Sequence, residues 1–248
     1  MQTSGQTSGE AEGTLVMVGV RSLGRAIALH FAAQGWRVVA AARTRSDVDR
    51  VAAEVDAAGG RGAGVVCDLT DPASLASLVA GCEHIDLCIA AQTAGGRFGA
   101  RPLVEIADEE IDQGYRSYLR GTWNLLKAVG PKLLAQGSGT FLQIGTSSGV
   151  RTRDGFAALG AIQHGLRALV QVAAREWRGQ GVHVAYLPID GAIESERSAA
   201  WTAKNGADRA IPQIEIARAC AYLHAQERRA WTHELVLRPT GTDWTAPT

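Results

Sequence analysis

The side chains best suited to chemistry gather in one stretch, Gly139 to Arg167, GTFLQIGTSSGVRTRDGFAALGAIQHGLR. It reads as a buried strand, a Ser/Thr-rich turn, a loop and a long helix. Thr146 places a hydroxyl at the strand's end, where it could polarise a substrate oxygen. Leu159 and Gln163 stand i,i+4 on the helix and share one face. Leucine can neither give nor take a proton, and glutamine hydrogen-bonds without carrying charge. Ser147 and Ser148 follow Thr146, yet no histidine falls where it would complete a nucleophilic triad. Gln92, Thr93, Arg97, Arg153, Asp154 and Asp190 stand at strand ends or in loops that would rim a cleft. From these, Gln92, Thr93, Ser148, Leu159 and Asp190 make up the expected substrate pocket. Loop polarity is common, so each of them taken singly is better explained as solvated than as catalytic.

The elements that must position these groups alternate. TLVMVGV is an apolar run ending in Gly, suited to a strand buried on both faces. RSLGRAIALHFAAQGW has helical periodicity, RVVAAART is a second strand, and SDVDRVAAEVDAAGG is helical. GAGVVCDLTD, IDLCIAAQ, TFLQIGT and VHVAYLPIDG read as further strands, with helices between them. The stretch from Ile193 to Ala210 reads as mobile. A helix over 212–226 and a last strand in WTHELVLRP close the pattern. Strands alternating with helices at this pitch imply an α/β, doubly wound, parallel sheet with right-handed crossovers and helices on both faces. Seven strands are expected, in a single domain over 14–248. The first 13 residues, with a doubled QTSG and no apolar segment, are expected to form a disordered tail.

Composition narrows the function classes. The 25 Lys+Arg balance the 25 Asp+Glu, so nothing argues for nucleic acid or a membrane surface as partner. No apolar run approaches the ~18 residues that span a bilayer. The four cysteines form no CxxC pair, which fits reduced thiols in a cytoplasmic protein. The six histidines show no metal-ligand spacing, so no metal is expected; His164 and His183 read as surface or capping residues.

The order and spacing of GRAIAL (24–29), CDLTD (67–71), LRGTWNLLKAV (119–129) and GLRALVQVAAREW (165–177) resemble the short-chain dehydrogenase/reductase family, over residues 14–238. The resemblance implies a Rossmann-like fold, a small-molecule substrate, a homodimer or homotetramer paired through the two long helices, and a nucleotide site at the carboxyl ends of the strands. It assigns the first βα turn (Gly19, Arg21, Ser22, Leu23, Gly24) to a phosphate cradle, although Val18 replaces the usual Thr and the turn is one residue short. Two glycines in such a turn are also an ordinary structural device. Arg43 follows the second strand where a 2′-phosphate would sit, which favours NADP(H) over NAD; otherwise it is a solvated loop arginine. Asp68 and Leu69 match the adenine contact, though Asp68 also suits a turn before Asp71-Pro72. Ala91 and Gln163 complete the expected cofactor contacts.

The family's catalytic Ser falls on Thr146, its Tyr on Leu159 and its Lys on Gln163, and its structural Asn on Tyr118. Hydride transfer to a carbonyl makes an alkoxide that a phenol must protonate, and a neighbouring ammonium lowers that phenol's pKa. Both groups are missing, a loss of roughly 10²–10⁴ in rate. Thr146 and Tyr118 remain as catalytic candidates, with Tyr118 better explained as an aromatic filling the space of Asn, since aromatics usually supply packing. Three functions follow: non-redox chemistry such as cyclisation, dehydration or isomerisation; an NADPH-dependent ketoreductase with substituted catalytic residues; or a non-catalytic partner protein.

Overall fold

A computed structural model describes residues 13–94 and 100–242. Its strands are β1 (Thr14–Val18), β2 (Arg37–Ala42), β3 (Arg61–Val66), β4 (Leu87–Ala90), β5 (Thr140–Thr146) and β6 (His183–Ile189). They form one parallel sheet in the order β3-β2-β1-β4-β5-β6. The sequence reverses direction across the sheet between β1 and β4, the place where a doubly wound fold opens a crevice at the strand carboxyl ends. The helices are α1 (Ser22–Ala32), α2 (Arg45–Ala57), α3 (Pro72–Ala80), α4 (Asp108–Gly114), α5 (Gly121–Gln136) and α6 (Ala157–Trp177).

Alternate strand residues supply two cores. Leu15, Met17, Val38 and Leu187 face α1 and α2, while Val16, Val18, Phe141 and Val184 face α3, α5 and α6. A sheet buried on both sides needs such unbroken apolar strands. Beyond β6 lie a two-stranded ribbon of β7 (Ala192–Ile193) and β8 (Ala210–Ile211), the helix α7 (Ala199–Asn205) and α8 (Gln213–His224). The segment expected to be mobile thus carries a short helix of its own. α8 packs Ile216, Cys220 and Leu223 into the first core.

The sheet has six strands where seven were expected. Residues 233–237 do run parallel to β6, but pair with it only as the isolated bridges Tyr186–Glu234 and Ile189–Leu237. The Tyr186 amide donates to the His233 carbonyl at 2.8 Å and the Asp190 amide to Leu237 at 2.8 Å. Between them stands Pro188, which has no N–H to give to the ladder. His183, expected as a surface or capping residue, is buried at 3% exposure. It bonds the Thr232 carbonyl at 2.9 Å and stacks on Trp231 with ring centroids 4.9 Å apart. All four cysteines are free and buried.

One ring wedges the β5–β6 seam. Tyr186 is fully buried, and its hydroxyl would lie 2.1 Å from a Cβ at Gly145 and 2.2 Å from one at Gly149. Side chains at both glycines are therefore excluded by the phenol. At Gly149 only the hydroxyl intrudes within 3.0 Å. Gly149→Ala is expected to destabilise the fold by about 1–3 kcal/mol through overpacking. Adding Tyr186→Phe should recover most of that loss in urea melts; equal destabilisation of the single and double variants would refute the wedge.

Candidate active site

The carboxyl ends of β1, β4, β5 and β6 lie side by side, and most of the expected site residues fall along them or on the helices that follow, with Arg43 past β2 and Asp68 and Leu69 past β3. At β1, Gly19 adopts φ +85°, and a Cβ there would lie 2.7 Å from the Ala91 carbonyl oxygen. A Cβ on Gly24 would lie 1.8 Å from the Gly19 carbonyl oxygen, so the turn closes only with glycine at both places. α1 starts with no side-chain cap and no acidic residue in its first turn, so no side chain caps its leading amides. Ser22, at φ +24°, accepts from Gln213 Nε2 at 2.7 Å, and Leu23 packs on the core. Arg21 donates from Nη2 to Thr93 Oγ1 at 2.7 Å, bridging the turn to the segment after β4.

Arg43 is exposed one residue past β2. Asp68 accepts from the Thr70 amide and hydroxyl, each at 2.8 Å. The Thr70 amide holds the Asp68 carboxyl below the usual range against the opposing effect of burial; the Thr70 hydroxyl and the Arg43 charge add to the lowering. Asp71 caps α3 by accepting from the Ala73 amide at 3.0 Å. Leu69 is buried, and its carbonyl accepts from Asn124 Nδ2 at 2.8 Å.

A buried polar line runs beneath the crevice. Gln92 Nε2 donates to Thr122 Oγ1 at 2.7 Å, and Thr122 Oγ1 donates to Gln143 Oε1 at 3.0 Å. Gln143 Nε2 donates in turn to the carbonyls of Ala90 and Ile144 at 3.1 and 2.9 Å. Gln92 thus turns inward and ties β4, α5 and β5 together.

At the end of β5, Thr146 Oγ1 accepts from the Ser148 amide at 3.3 Å, which leaves the hydroxyl proton free to donate. Ser147 and Ser148 are buried in that turn. On α6, Leu159 is half-buried and Gln163 is 1% exposed, its Oε1 without a partner. Asp190 is also buried; its Oδ1 accepts from Arg151 Nη2 at 2.8 Å and its Oδ2 from Arg238 Nε at 2.5 Å. Arg153 lies over the Phe156 ring at 5.1 Å, and Asp154 is exposed. Arg97 lies outside the described residues.

Comparison with known proteins matches this geometry to a lineage. The family model described as Enoyl-(Acyl carrier protein) reductase matches residues 18–238. The chain belongs to the short-chain dehydrogenase/reductase family. Among curated relatives, sepiapterin reductase of Chlorobaculum tepidum is 27% identical over 241 residues, covering 90% of this chain and 94% of the relative. The 3-oxoacyl-(acyl-carrier-protein) reductase FabG of Escherichia coli is 28% identical, covering 91% and 94%. A solved metagenomic short-chain oxidoreductase in complex with NADP superposes with a TM-score of 0.77 at 28% identity, covering 93% of this chain and 98% of that one.

Within this family's frame, the helix face that resemblance assigns to Tyr and Lys presents Leu159 and Gln163. Tyr118 sits on a π-helical turn, Tyr115–Arg120, between α4 and α5. Burial raises its phenol above the ordinary tyrosine value, opposed by the Ala94 backbone just past β4. Single-turn π segments often mark functional positions. Thr122, Gln143, Tyr186, Arg151 and Arg238 were not singled out by sequence. A polar residue inside an otherwise apolar strand, as in TFLQIGT and VHVAYLPI, is the signal that could have found two of them. Among the described residues, no group of three or more His, Cys, Asp or Glu is placed to hold a metal.

Thr122→Val should cost about 2 kcal/mol in urea denaturation, because Gln92 Nε2 and Gln143 Oε1 lose their shared partner. A loss under ~0.5 kcal/mol would show that the line carries no weight in the fold.

Proposed function

We propose that this chain is a small-molecule enzyme that keeps an NADP-type nucleotide site and performs non-redox chemistry, such as cyclisation, dehydration or isomerisation. The observation that carries this reading is the pair on α6. Leu159 offers no proton, and Gln163, one helical turn away and buried, offers no charge. Family membership leaves the chemistry open, since one fold hosts many reactions.

The residues fit the cofactor. The uncapped first turn of α1 would hold the diphosphate, Arg43 the 2′-phosphate, and Gln163 Oε1, buried and unpartnered, would accept from a ribose hydroxyl. NADP(H), when bound, exchanges hydride at its nicotinamide ring. The chain's own part is to place a donor at the substrate. Thr146 can give its hydroxyl proton to a substrate oxygen as a hydrogen bond, stabilising charge that develops there. With no phenol beside it, that oxygen is polarised rather than protonated.

A second reading, an NADPH-dependent reductase, draws on the reductases among the relatives and on the Tyr118 phenol, which reaches the segment after β4 at Ala94. Kinetics separate the two. NADPH is expected to titrate to saturation in a fluorescence assay, and Arg43→Ala to weaken NADPH about tenfold while leaving NADH nearly unchanged. The double variant Leu159→Tyr, Gln163→Lys should then raise NADPH-dependent ketone reduction by on the order of 10²–10⁴. If the unaltered chain already reduces ketones as fast, and Tyr118→Phe abolishes it, the reductase reading wins.

A second copy of the chain is the partner proposed for the outer faces of α5 and α6. A groove of about 330 Å³ there is lined by Leu119, Trp123, Gly165 and Leu169. Trp123 and Val172 stay 45% and 52% exposed nearby, apolar groups that a partner's helices could cover. Leu169→Glu should turn a dimer or tetramer into a monomer or a lower oligomer in analytical ultracentrifugation. An unchanged sedimentation coefficient would reject this face.

A further inference from the structure

Two guanidinium groups share one carboxylate at the carboxyl end of β6. Asp190 follows Ile189, the residue paired with Thr146 across the β5–β6 ladder. Arg151 follows the Thr146 turn, and its amide donates to the Ser147 carbonyl at 2.9 Å. The ion cluster therefore flanks Thr146 directly. Asp190 spends one oxygen on each arginine, and its side chain is 4% exposed. The Arg151 guanidinium donates a single bond, from Nη2; its Nε is sealed from solvent with no partner, and Nη1 donates to no described residue. The Arg151 side chain keeps 16% exposure.

A guanidinium offers five donors in a planar fork, and its charge in a partly dry site calls for more than half a carboxylate. The missing acceptor is not the cofactor diphosphate. That group belongs at the β1 turn, three strands away in the sheet order, about 14 Å at ~4.8 Å per strand. Arg151 is instead tied to the Thr146 end of the β5–β6 ladder, through its amide on Ser147 and its guanidinium on Asp190, the residue after the Thr146–Ile189 pair. The geometry points to Arg151 as the residue that binds a carboxylate on the small-molecule ligand, with Asp190 and Arg238 holding the fork in place. This rests on the reading that the crevice at Thr146 takes a small organic molecule, and it names that molecule's class: an organic acid whose reacting oxygen lies within a few bonds of its carboxylate. Planar two-oxygen recognition by arginine suits a carboxylate in this way, and lysine would not reproduce it.

The test uses the full chain and three probes: levulinate as a keto acid, its uncharged methyl ester, and inorganic phosphate. Thermal melts and calorimetric titrations are run with and without NADPH. Levulinate is expected to bind saturably and raise the melting temperature, with the ester and phosphate giving no saturable effect. Arg151→Gln should weaken levulinate binding at least about tenfold, as expected for loss of a charge-assisted contact. Arg151→Lys, which keeps the charge and so guards against a variant that merely misfolds, should still weaken it severalfold. NADPH affinity should be unchanged in both variants. Equal effects of acid and ester, a phosphate effect matching that of levulinate, or full retention of levulinate binding in either variant would overturn the assignment. A flat NADPH titration alongside Arg151-dependent levulinate binding would instead sink only the cofactor reading.

Discussion

The seam between β5 and β6 is what the candidate site hangs from. Seven residue pairs hold the two strands in register, from Thr140 opposite His183 to Thr146 opposite Ile189. Under the last of these pairs lies the Tyr186 ring, in space that Gly145 and Gly149 leave empty. A phenol so placed is costly to ionise. Burial, with the Glu234 carboxylate adding to it, pushes its pKa far above the tyrosine range. It therefore stays neutral and acts as a rigid spacer. Interiors are close-packed, so the turn above it, which carries Thr146, Ser147 and Ser148, inherits its position from the ring.

From that seam the polar groups of the site sort into two kinds. One kind faces inward and is spent on structure. Gln92, Thr122 and Gln143 pass hydrogen bonds from β4 through α5 to β5, and Asp68 is occupied by Thr70. The other kind retains capacity: the Thr146 proton, the amides at the start of α1, the Oε1 atoms of Gln163 and of Gln92 itself, and the fork of Arg151. Donors and acceptors are thus arrayed along the carboxyl ends of the strands, while no phenol–ammonium pair stands on α6. Such a constellation can orient a molecule and polarise its oxygen, which is the physical support for the non-redox chemistry we propose.

Much of the architecture was legible in the residues themselves. Apolar runs of β-branched residues alternating with 3.6-period segments sufficed for the parallel sheet and its two helical layers. The expected seventh strand failed for a local reason that the sequence also contains. Pro188 removes the donor that would have joined residues 233–237 to β6 as a ladder, but a proline is a ladder defect only once its neighbour is known. His183, read as a surface or capping residue, proved buried; a lone polar residue opening a strand gives no hint of Trp231, which reaches it from 48 residues further along.

For the candidate site the division follows range. Sequence by itself determined which functional groups exist at each strand end, including Leu159 and Gln163 on one helix face, because those facts depend on residue type and on i,i+4 spacing alone. Tertiary structure alone decided which groups remain available. Gln92 turning inward to Thr122, Arg21 reaching Thr93, and Asp190 drawn between Arg151 and Arg238 join residues 30 to 72 positions apart. Hydrogen bonds and ion pairs act over about 3 Å, so nothing short of the folded chain could show which partner each side chain meets.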